Sequence, residues 1–75
     1  MIIKILGSGC SKCQALTENT RKALADNGRE AEIVKVTDFA EIAAHGVMST
    51  PALVVDGKVV SVGKVLMPGE IGKFL

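Results

Sequence analysis

The chain has no tryptophan and no tyrosine, and its only aromatics are Phe39 and Phe74. An aromatic-rich core is therefore excluded, and any core must be built from Ile, Leu, Val and Ala. Such a core in a chain of 75 residues leaves a thin margin of stability. Two cysteines are too few for the disulfide framework of a small secreted domain. No run of eighteen apolar residues exists, so no membrane span is expected. Met1–Leu6 is too short for a secretory signal and reads as a strand. The formal net charge of +1, with acids and bases interspersed, argues against a nucleic-acid or membrane-surface role built on charge. Together these features predict one small domain over residues 1–75, located in the cytoplasm.

What is present is a pair of cysteines three positions apart, Cys10-Ser11-Lys12-Cys13, and a Ser49-Thr50-Pro51 stretch far downstream. Ile2–Leu6 is an apolar run broken only by Lys4 and predicts a buried strand. Gly7-Ser8-Gly9 then lets the backbone turn sharply into a helix from Ser11 to Asn27, rich in Gln, Ala, Leu, Glu, Arg and Lys. Cys13, Leu16, Thr20, Ala23 and Leu24 share one side of it, and Gly28 stands where it should stop. Ala31–Val36 reads as a second strand. Asp38 is suited to cap a helix whose apolar stripe is Phe39, Ile42 and Ala43, with Glu41 at capping-box spacing and Gly46 at the end. Val47 is placed to close the contact after that glycine, and Met48 to lie in the core or a pocket wall.

The runs Ala52–Val55 and Lys58–Val62 flank Asp56-Gly57, which predicts a two-residue hairpin with positive φ at both turn positions. Pro68 opens a last helix running to Leu75, with Ile71, Phe74 and Leu75 as its apolar face and Gly69 and Gly72 weakening it. The order βαβαββα follows. A right-handed β-helix-β crossover makes strands one and two parallel, and the hairpin then adds antiparallel strands on the other side of strand one. The expected architecture is α/β, a four-stranded mixed sheet in the order 2-1-3-4 with helices on both faces.

At the opening of a helix, unpaired N–H groups and the positive dipole end favour a thiolate at Cys10, and Lys12 adds a nearby positive charge. Two intervening residues also suit an unstrained disulfide across one helical turn. The same pair could instead hold a soft metal such as Cu(I) or Zn(II), as a carrier or sensor, or be inert. Small heavy-metal carriers place Cys-x-x-Cys after strand one, but usually with Met two residues before the first cysteine, where this chain has Ser8, and in βαββαβ order. The strand-to-helix setting and the later Thr50-Pro51 favour redox chemistry. The lone histidine, His45, falls at a helix end, where it interacts favourably with the dipole.

Leu6-Gly7-Ser8-Gly9-Cys10-Ser11-Lys12-Cys13 and Met48–Lys58, taken with the element order, resemble the thioredoxin fold over essentially the whole chain. The resemblance is to the very short prokaryotic redox-active disulfide proteins, which overlap with small glutaredoxin-like proteins. It implies a thiol–disulfide oxidoreductase in which Cys10 attacks, Cys13 resolves, Pro51 is a cis-proline facing the sulfurs, and Thr50 offers its backbone to an extended substrate. Ser11 and Lys12 would also face substrate. The implied partners are protein or small-molecule disulfides and a reductase or thiol pool, with no bound cofactor. Several residues depart from the family pattern. Gly9 stands where thioredoxins have Trp, Lys4 where they have a buried acid, and Ser11-Lys12 matches neither Gly-Pro nor Pro-Tyr. Ser61-Val62-Gly63-Lys64 replaces the glutaredoxin Gly-Gly stretch, so substrate, electron donor and potential do not carry over.

Overall fold

In the computed structural model, which describes residues 1–7 and 11–75, the order is β1 (Ile2–Leu6), α1 (Ser11–Asp26), β2 (Glu32–Val36), α2 (Phe39–Ala44), β3 (Ala52–Val55), β4 (Lys58–Val62) and α3 (Pro68–Gly72). The strands form one four-stranded sheet in the order β2-β1-β3-β4. β1 runs parallel to β2, with Ile3 opposite Ile33 and Ile5 opposite Lys35. On its other side it runs antiparallel to β3, with Ile3 opposite Val55 and Ile5 opposite Leu53. This is the sheet order expected from the right-handed crossover and the hairpin.

Alternation along β1 splits the core between the two faces of the sheet. Ile3 and Ile5 join Leu53 and Val55 beneath Leu16, Ala23 and Leu24 of α1 and Ile71 of α3. Leu6, Val36, Ala52 and Val54 face the other way, against Ile42 of α2 and Val47. Lys4, opposite Val34 and Val54, belongs by alternation to this second face and is half-buried. The core is aliphatic, as the scarcity of aromatics requires.

The turns follow their residues. Asp56 and Gly57 both have positive φ, 49° and 83°, which glycine reaches without cost and aspartate more readily than most. The Asp56 carboxylate also accepts from the Ile2 N–H at 2.8 Å, tying the hairpin to the start of β1. At the end of α1, the Gly28 N–H donates to Ala25 O and the Arg29 N–H to Leu24 O, a paired closure of the last carbonyls. Asp38 caps α2 by accepting from the Ala40 N–H at 3.2 Å. The His45 Nδ1–H donates to the Glu41 carbonyl at 2.8 Å, so the lone histidine satisfies the end of that helix.

Three expectations are corrected. Phe39 is 77 % exposed and Ala43 is also exposed, so Ile42 alone is the buried residue of α2. A helix of six residues is too short to repeat a face, and one apolar position is enough to seat it. Met48 is 96 % exposed rather than a core or pocket residue. α3 stops at Gly72, short of Leu75, and Phe74 remains 44 % exposed. Two glycines in five residues weaken propagation of that helix.

Candidate active site

The C-terminal end of β1, the start of α1 and the start of β3 meet at one end of the sheet. β1 leads into Gly7, whose N–H donates to Val36 O at 2.9 Å and extends the ladder with β2 by one step. After residues 8–10, α1 begins at Ser11. Ser11 and Lys12 are exposed on its first turn, whereas Cys13 is 5 % exposed and faces the sheet. Cys10, with Ser8 and Gly9, lies outside the described residues. The Thr17 hydroxyl, itself buried, donates to the Cys13 carbonyl at 2.9 Å. That bond satisfies a polar group which would otherwise be costly beside the core.

The antiparallel pairing of β1 with β3 brings residues 49–51 to the same end. The Thr50–Pro51 peptide bond is cis. Thr50 is exposed and Pro51 buried. The Gly63 N–H, following β4, donates to Pro51 O at 2.8 Å and holds this segment from the far side. Gly7 is where the elements come closest. A Cβ placed there would overlap the Cys13 sulfur and lie 3.5 Å from Cys13 Cβ and 3.7 Å from Thr50 Cβ. Two of the residues singled out in the sequence, Cys13 and Thr50, are thus brought to one backbone position some forty residues from the second of them. Ser11 and Lys12 sit on the exposed start of the helix.

A small hollow opens beside Cys13, lined by Ile5, Gly7, Gln14, Thr17, Lys35 and Thr37. The cation at this hollow is Lys35 of β2, not Lys4, whose strand position faces the α2 side. Sequence reasoning missed Lys35. A signal was there in retrospect: it breaks the apolar run of β2 one residue before the buried Val36. Among the described residues, no group of three or more His, Cys, Asp or Glu side chains could hold a metal ion. No helix among them is long and apolar enough to cross a membrane.

A helix-start cysteine buried against the end of a central strand, with a cis-proline segment entering from the next strand, is the arrangement of a thioredoxin-like protein. The family model described as a thioredoxin domain matches residues 1–75, and the chain belongs to this family. It is 39 % identical over 75 residues to a thioredoxin of Methanothermobacter thermautotrophicus, covering all of this chain and 97 % of that protein. It is 45 % identical over 71 residues to a thioredoxin of Methanocaldococcus jannaschii, covering 95 % of this chain and 81 % of that one. These relatives support a function of the thiol–disulfide oxidoreductase type.

Proposed function

We propose that residues 1–75 act as one unit in reversible dithiol–disulfide exchange, with Cys10 as the attacking thiol and Cys13 as the resolving one. The observation that carries the reading is the burial of Cys13 at the first turn of α1, three residues after Cys10 and beside Thr50. A resolving thiol must be withheld from solvent yet lie within a helical turn of its partner. In the first step the Cys10 thiolate attacks one sulfur of a substrate disulfide. A mixed disulfide forms and one substrate thiolate leaves. Cys13 then loses its proton and attacks Cys10 Sγ, which frees the second substrate thiolate and closes the Cys10–Cys13 bond. The chain is oxidised by two electrons and the substrate reduced by two. A reductase or thiol pool returns the electrons, and no bound cofactor is needed.

The backbone of Thr50 would contact the substrate from the β3 side, with Pro51, itself buried, holding that segment in place, and Ser11 and Lys12 would contact it from the helix side. The exposure of Ser11, Lys12 and Thr50 supports that assignment. Protein or small-molecule disulfides are the substrates, and the cytoplasm, where a lone close thiol pair stays reducible, is the compartment.

The test is the redox equilibrium of the pair in glutathione or dithiothreitol buffers, read by thiol alkylation and mass. A reversible two-electron transition in the cytosolic range, about −220 to −320 mV, is expected. Cys10→Ser should abolish turnover, and Cys13→Ser should accumulate a mixed disulfide. If no intramolecular disulfide forms in any buffer, the reading fails, and tight stoichiometric Zn(II) or Cu(I) binding by the reduced chain would then replace it.

A further inference from the structure

We propose that Gly7 is a positioning residue for the Cys13 sulfur, and that its missing side chain sets the resolving half of the exchange. The inference rests on the exchange reading above and names a residue that reading does not use. Gly7 is buried and lies outside the positive-φ glycines of the chain, so backbone conformation does not account for its being glycine. Its surroundings do. The Cys13 sulfur occupies the volume in which a Cβ on residue 7 would stand, and Thr50 Cβ closes the same space at 3.7 Å. Residue 7 has little freedom to retreat, because its N–H is held by Val36 O at 2.9 Å as a continuation of the sheet. Even a methyl group at this position must therefore displace the sulfur, and Cys13 is fixed in depth by α1, where Leu16 and Thr17 are buried beside it.

The consequence is specific to one step. Resolution requires the Cys13 sulfur to line up on Cys10 Sγ, and a misplacement of about 1 Å can slow such a step by up to roughly a hundredfold. The first attack, made by Cys10 on an external disulfide, does not use the Cys13 sulfur.

The two steps are separable with dithiobis(nitrobenzoate). Attack by Cys10 releases one nitrothiobenzoate. Attack of Cys13 on the resulting mixed disulfide releases the second, so that one disulfide forms in the protein and the probe is reduced by two electrons to two thiolates. In Gly7→Ala the first release should keep its rate and the second should slow by roughly 10–100-fold. Equal slowing of both releases, or an unchanged second release, would overturn the proposal.

A double-mutant cycle on the reduced protein gives a readout independent of turnover. With Cys13 present, Gly7→Ala should raise the unfolding constant by about tenfold or more. In a Cys13→Ala background the nearest atom of residue 13 is its Cβ, an ordinary 3.5 Å contact, and the same substitution should change the constant by less than about threefold. Equal effects in both backgrounds would show that the sulfur is not what Gly7 accommodates. A wild-type chain that never releases the second equivalent would overturn the exchange reading and Gly7's part in it, while the cycle would still report the packing.

Discussion

Ser61 offers a test in which removing a polar atom should make the protein more stable. It lies on β4 opposite Leu53, next to an irregularity in the pairing at Leu53/Val54. Leu53 belongs to the core beneath α1 and α3, so Ser61 points toward that face, near Leu66 and Phe74. Its Oγ is buried and has no hydrogen-bond partner among the described residues. A buried hydroxyl without a partner costs about 1–3 kcal/mol in lost hydration. Ser61→Ala removes that cost while deleting a single atom, so the cavity term is small. Alanine is a poorer strand residue by a few tenths of a kcal/mol, which offsets part of the gain. The net expectation is a stabilisation of about 1 kcal/mol. For a domain of this size that raises Tm by roughly 4–8 °C. Thermal and urea unfolding of the reduced protein, followed by far-ultraviolet circular dichroism, would measure it. A loss of stability of 1 kcal/mol or more would refute the reasoning, because it would mean the hydroxyl is bonded in the folded protein.

Asp38→Ala removes the side chain that accepts from the Ala40 N–H and should cost about 1 kcal/mol in urea unfolding. An unchanged midpoint would mean that solvent caps α2 equally well. Pro51→Ala should leave the far-ultraviolet spectrum intact and slow exchange with a peptide disulfide by roughly tenfold, the scale of one lost positioning contact. Equal rates would mean that Pro51 does not position the Thr50 segment for exchange.

The sheet was readable because its signals are local or follow from chain chirality. Asp56-Gly57 between two β-branched runs defines its own hairpin, and the βαβ unit then fixes the side on which that hairpin must join. Periodicity also sufficed for α1, where sixteen residues repeat one face often enough to average out exceptions. It failed for α2 and for Met48, where too few residues share an apolar pattern to say which of them is covered. At the candidate site, the burial of Cys13 was legible from its place on the helix. The neighbours of its sulfur were not. Lys35 reaches the hollow through the pairing of Ile5 with Lys35, and Thr50 reaches Gly7 through the pairing of β1 with β3. Such contacts depend on the register of strands that no tight turn joins, so no local turn signal fixes them.

The order β2-β1-β3-β4 also has a consequence for how the chain folds as it is made. β1, which precedes the other three strands along the chain, is an interior strand of the sheet. β2 can dock on it early, together with α1, as a right-handed unit. The opposite edge of β1 must stay open until Ala52–Val55 emerges, when Ile3 meets Val55 and Ile5 meets Leu53. That closure joins residues distant along the chain and carries a loop-entropy cost that the local βαβ unit does not. The segment carrying Thr50 and Pro51 arrives with the closing strand. The enclosure of Cys13 beside Thr50 therefore depends on a strand pairing far along the chain, not on the βαβ unit that carries it.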